Sequence, residues 1–149
     1  MAGNATVSIG NYSGALDVAT LNTAQLTQLA SATVAVPDTS AANAAAAAVY
    51  QSERWGGCTY TLSVEKGSTY TVRLHFAELK LGPGERKFNV DINGRRVLSD
   101  FDIAAEAGKN KAVVKDFPSI SPDADGNIVI AFTRGSADEP KVCGIQILK

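Results

Sequence analysis

Tyr70-Thr-Val-Arg-Leu-His-Phe76 alternates apolar and polar residues, so Tyr70, Val72, Leu74 and Phe76 share one face. A period of two is that of a half-buried β-strand. The segments around it repeat the pattern. Tyr60-Thr-Leu-Ser-Val64 alternates and runs into the turn Glu65-Lys-Gly-Ser68. Phe88-Asn-Val-Asp-Ile92 places Phe88, Val90 and Ile92 together, and Asn93-Gly94 suits a two-residue type I′ turn into Arg95-Arg-Val-Leu98. Pro122-Asp-Ala-Asp-Gly126 is a turn cluster before the strand Asn127–Thr133, and Lys141–Leu148 reads as one closing strand. Short strands separated by turns predict an all-β fold, a β-sandwich of jelly-roll type with at most short helical turns. Ala44–Ala48 is expected to form such a turn, with Asp38, Thr39 or Ser40 available as N-cap.

The chain has 149 residues, enough for one domain with its own core. It carries 14 Lys+Arg against 15 Asp+Glu, a formal net charge of -1, which argues against nucleic acid as the default partner. No apolar run could span a bilayer, so no membrane insertion is expected. Only Asp17 and Asp38 are charged in residues 1–49, and Tyr12 is the sole aromatic there. In that first third, Ala5–Ile9 and Ser31–Val36 read as strands, while Leu26 and Leu29 sit at helical spacing. The segment should complete the sandwich. The start MAGNATVSIG has no basic region followed by an apolar run, so no signal peptide is expected.

Two cysteines and one histidine are too few for a structural zinc site, so neither metal nor cofactor is expected. Cys58 and Cys143 read as two buried free thiols on strands, with a single disulfide between them as the alternative. Out of phase with its neighbours, His75 reads as a surface histidine without a partner. No G-x-S-x-G nucleophile turn is present. Glu53, Glu78, Asp100 and Asp102 are the candidates for a glycosidase pair, with ion-paired structural roles favoured. Asp123-Ala-Asp-Gly126 resembles the start of a calcium loop but lacks its distal acid, so a plain turn is expected. Lys109, Lys111 and Lys115 read as a solvated loop.

Features suited to binding remain. Trp55, in Arg54-Trp-Gly-Gly57, offers an indole face on which a sugar ring could stack, the rival role being to cap the core. Asp138, in Gly135-Ser-Ala-Asp-Glu-Pro140, could accept hydroxyl hydrogen bonds.

Several segments together resemble the malectin-like carbohydrate-binding domain: Val49-Tyr-Gln-Ser-Glu-Arg-Trp55, Tyr70–Glu78, Arg86-Lys-Phe-Asn-Val90, Ile92-Asn-Gly94, Phe101-Asp-Ile103 and Pro140-Lys-Val-Cys-Gly-Ile145. The match is readable from about residue 38, with 1–37 divergent inside a single domain 1–149. The resemblance implies a non-catalytic module that binds an oligosaccharide or polysaccharide. Trp55 falls on a ligand-stacking aromatic of the family and Asp138 on its ligand-binding aspartate. Lys80 and Leu81 replace two further aromatics, and Tyr12 is the candidate for a fourth. Glu53, Arg54, Glu78 and Arg86 are implied to hold loops, and Phe88 and Phe101 to fill the core. The resemblance favours an extracellular or periplasmic module excised from a larger protein. The alternative is a protein-interaction or structural module of the same fold that has lost sugar binding and self-associates weakly through a strand edge.

Overall fold

A computed structural model describes residues 36–149, which lie in one compact unit. The expectations for Ala5–Ile9, Tyr12, residues 23–30 and Ser31–Ala35 lie outside the described residues. The elements are α1 (Ala47–Tyr50), β1 (Arg54–Trp55), β2 (Cys58–Ser63), β3 (Tyr70–Ala77), β4 (Lys87–Ile92), β5 (Arg95–Phe101), α2 (Ile103–Ala107), β6 (Ala112–Ile120), β7 (Asn127–Ala137), β8 (Lys141–Val142) and β9 (Gly144–Leu148). All paired strands are antiparallel. One sheet has the order β2-β7-β4-β5, a second β6-β3-β9, and β1 with β8 makes a separate two-stranded ribbon.

The alternating residues explain the layering. Val72, Leu74 and Phe76 of β3 share one buried core with Phe88, Val90 and Ile92 of β4 and Ile128, Ile130 and Phe132 of β7. These inner faces pack as a sandwich, as expected. Phe76, Phe88 and Phe101 meet with ring centroids 5.2–5.8 Å apart, so Phe88 and Phe101 fill the core as the resemblance implied. The Asn93-Gly94 turn has φ of 48° and 76°, as type I′ geometry requires. At the other turn cluster the Asp123 carboxylate accepts the amides of Asp125 and Asn127, an ordinary side-chain-capped turn.

Several expectations are corrected. The closing strand is broken at Cys143: β8 joins the ribbon and β9 the β3 sheet. Cys143 is thus half-buried between strands, while Cys58 is half-buried on β2; both thiols are free. Residues 112–120 form β6 despite Pro118, because β3 pairs with them along most of their length and a register shift absorbs the irregularity. Lys115 is therefore on a strand, paired with Glu106 at 2.7 Å and 5.3 Å from the Phe101 ring centroid. The helical turn comes later than expected, and its N-cap is Ala46, with no side-chain bond. Asp38 instead accepts the Ser40 amide. A second helix, α2, is capped by Asp102, whose carboxylate accepts from the Ala105 amide.

His75 departs furthest from its reading. It is 1% exposed, because α1 covers the outer face of β3 there. The Tyr50 hydroxyl lies 2.8 Å from His75 Nδ1 and accepts from the Ala45 amide, while Nε2 lies 3.0 Å from Gln146 Oε1. Both ring nitrogens therefore have a hydrogen-bonding partner, Tyr50 on one side and Gln146 on the other. Burial raises the Tyr50 phenol, partly opposed by the Ala45 amide.

Candidate functional site

Four loops and the β1–β8 ribbon meet around one buried carboxylate. β3 ends at Ala77, which leaves Glu78 at the mouth of the core, 1% exposed. An ionised carboxylate there must be paired. Its Oε2 accepts from Arg86 Nε at 2.8 Å, and its Oε1 accepts the amides of Lys80 and Leu81, each at 3.1 Å. Lys141 Nζ lies 3.7 Å from Oε1 and also pairs with Glu53. Burial pushes the Glu78 carboxyl up, but Lys141, Arg86 and the two amides outweigh it and hold it below its ordinary value.

Arg86 carries the connection to the next loop. Its Nη1 donates to the Glu139 carbonyl at 2.5 Å and lies 3.1 Å from Asp138 Oδ2. Asp138 is one of the few non-glycine residues with positive φ, at 54°. That conformation is tolerated by Asp but disfavoured, and the Arg86 clamp fixes it. Asp138 is therefore not a freely solvated loop residue: one oxygen faces Arg86, and among the described residues none donates to the other.

Trp55 lies on the ribbon, opposite Lys141 in the β1–β8 register, and the Gly56 amide donates to the Pro140 carbonyl at 2.9 Å. It is 53% exposed, which excludes the core-capping role. Apart from Val36, it is the only exposed large apolar side chain among the described residues. The structure thus ties the Trp55, Asp138 and Lys80–Leu81 segments to one network, through Lys141, Arg86 and Glu78. Lys80 is exposed and Leu81 half-buried. Tyr12 lies outside the described residues.

Glu53, Glu78 and Arg86 hold loops, as the resemblance implied; Arg54 is exposed and makes no ion pair among the described residues. Each glycosidase candidate is engaged structurally. Glu53 and Glu78 share Lys141, Asp100 accepts the Ser136 amide, and Asp102 accepts those of Gly84 and Ala105. Sequence reasoning gave no role to Lys141, which is 2% exposed and links two acids. A lysine between Pro140 and the apolar Val142 was the available signal.

A cavity of about 430 Å³ opens beside Arg54, Tyr60, Leu62, Val142 and Ile145. None of Trp55, Asp138, Lys80 and Leu81 lines it. Its lining mixes apolar side chains that pack on the core with Ser52, Glu53 and Arg54, of which Glu53 is held by Lys141. No metal-binding group of three or more His, Cys, Asp or Glu occurs among the described residues, and no helix there is long and apolar enough to cross a membrane.

A family model for the malectin domain matches residues 17–145. Malectin of Mus musculus is 32% identical over 114 residues, covering 67% of this chain and 39% of that protein. The kinesin-like protein KIN-14E of Oryza sativa subsp. japonica is 34% identical over 111 residues, covering 68% of this chain and 10% of that one. The solved ANXUR2 extracellular domain of Arabidopsis thaliana superposes with a TM-score of 0.60 at 27% identity, covering 68% of this chain and 32% of that chain. The chain spans about two fifths of the length of the malectins it matches.

Proposed function

Because the chain belongs to the malectin domain family, we propose that it is a non-catalytic carbohydrate-binding module whose site is the surface carrying Trp55 and Asp138. The observation that carries the reading is Trp55. A large aromatic left 53% exposed, on a ribbon tied to a buried ion-pair network, offers an open indole face at a fixed position. The indole face stacks on the C–H face of a pyranose. Asp138, with Oδ2 on Arg86, presents Oδ1 to accept hydroxyl protons as charge-assisted hydrogen bonds. Since Arg86 and Glu78 hold that carboxylate in advance, little ordering is required on binding. Leu81 and Lys80 extend the surface. Glu53, Glu78, Asp100 and Asp102 act as structural acids, which is why no hydrolysis is proposed. An oligosaccharide or polysaccharide outside the cytoplasm is the proposed partner, with this module forming part of a longer chain.

The test is a glycan array with multivalent display, comparing wild type with Trp55→Ala and Asp138→Ala. Binding that drops at least about tenfold in both variants supports the site. Binding unchanged in both refutes it. A folded wild type with no glycan signal that dimerises in solution favours the interaction-module alternative.

A further inference from the structure

The acids around the site are engaged, whereas several bases, Arg54, Lys80, Lys109 and Lys111 among them, have no carboxylate within ion-pair distance among the described residues. Glu78 faces Arg86 and Lys141, Glu53 faces Lys141, Asp138 faces Arg86, Glu139 faces Arg134, and Glu106 faces Lys115. The two other acids near the rim, Asp102 and Glu85, are turned onto the amides of Gly84, Ala105 and Gly82. Residues 1–35 add one acid, Asp17, and no base. By contrast, no carboxylate among the described residues lies within ion-pair distance of the ammonium groups of Lys80 or Lys109.

These two lysines come from two loops that meet, one between β3 and β4 and the other between α2 and β6. Lys109 Nζ donates to the Lys80 carbonyl at 2.7 Å, and the Asn110 amide donates to the Glu78 carbonyl at 2.8 Å. The Lys80 backbone is in turn fixed by its amide on Glu78, the carboxylate that holds Arg86 and hence Asp138. Lys80 is exposed, so its ammonium is a mobile point charge on a fixed backbone. The Lys109 ammonium has donors left after its one carbonyl bond.

We infer that Lys80 and Lys109 form an anion-recognising rim beside Trp55 and Asp138, so that the site takes acidic glycans, those bearing carboxylate or sulfate groups, in preference to neutral ones. This rests on the glycan reading above. Trp55 meets the ring, Asp138 takes hydroxyls, and the lysines meet the acidic substituent of the same or the adjoining sugar. The arrangement also sets a limit: Asp138 repels an acid placed directly on it, so the acidic group must lie on the Lys80 side.

The experiment titrates wild type, Lys80→Ala, Lys109→Ala and Trp55→Ala with maltotriose, trigalacturonate and sulfated maltotriose, followed by calorimetry. Lys66→Ala, whose Nζ bonds the Ala124 carbonyl on a different loop, controls for net charge. Expected is tighter binding of at least one acidic trisaccharide than of maltotriose by about fivefold or more at low salt, about 50 mM, narrowing at about 300 mM. The two lysine substitutions should each weaken the acidic ligand more than maltotriose, while Lys66→Ala leaves the ratio unchanged. Which acid gains distinguishes carboxylate from sulfate recognition. Trp55-dependent maltotriose binding equal to or tighter than both acidic ligands overturns this inference and leaves the glycan reading standing. An acidic preference that survives both lysine substitutions also overturns it. No binding of any trisaccharide overturns both.

Discussion

Replacing Glu78 by Gln removes one charge from the centre of the network while keeping its shape. The carboxylate meets Arg86 at 2.8 Å, Lys141 at 3.7 Å and two amides at 3.1 Å, and it is 1% exposed. Removing one partner of a buried ion pair costs about 3–5 kcal/mol, because a buried charge is left uncompensated. Here Arg86 keeps Asp138 and Lys141 keeps Glu53, and the Gln oxygen can still accept from the amides. The expected loss is therefore smaller, about 2–4 kcal/mol, corresponding to a melting temperature lower by roughly 10 °C for a chain of this size. Urea unfolding followed by far-ultraviolet circular dichroism, with an unchanged m-value, measures it. The pH dependence supplies a second readout. The folded-state Glu78 carboxyl lies below its ordinary value of 4.5, so it contributes stability above that value and loses it as pH falls through the folded pKa. Glu78→Gln should flatten the acid limb of the stability curve. A variant within about 0.5 kcal/mol of wild type, with the acid limb intact, would refute the role given to Glu78.

Tyr50→Phe removes the hydroxyl between the Ala45 amide and His75, leaving both without that partner; about 1–3 kcal/mol should be lost in urea unfolding. Gly135→Ala places a Cβ against the Lys87 carbonyl and the Asp100 carboxylate where β7 meets β4, so a loss of about 1–3 kcal/mol is expected, together with shifted amide resonances for Ser136 and Lys87. Burial pushes the Cys143 thiol up to about 11, so alkylation of Cys143 in the folded protein should be slow near neutrality and climb as pH approaches that value; fast labelling at pH 7 would contradict its burial.

The strands that carry clean alternation were legible because one face of each packs on the core while the other is less buried, along β2 and β4, in β3 as far as Leu74 and in β7 as far as Phe132. β6 was not, since Pro118 and the charged Lys115 and Asp116 mask its pattern. Those charges are satisfied across strands: Arg73 donates to both Asp116 oxygens, at 2.7 and 2.8 Å. No local rule reports a partner 43 positions away in the chain. His75 was misread for a related reason. Alternation puts it on the outer face of β3, but whether that face is wet depends on where α1 docks. Trp55 and Asp138 could be picked out as candidates from residue type and turn context. The clamp on Asp138 could not, because it passes through Arg86 to Glu78 and needs two loops, distant in the chain, brought together.

The β1–β8 ribbon pairs with neither of the larger sheets. Its two short strands present Trp55 without contributing that side chain to the core. Residue 55 is thus evolutionarily cheap to change: an exchange of aromatic, or its loss, alters what the surface meets while the sandwich beneath keeps its packing. For engineering, the same separation makes the ribbon and the Lys80–Leu81 turn the places to randomise, with Glu78, Arg86 and Lys141 held constant as the frame that aims them.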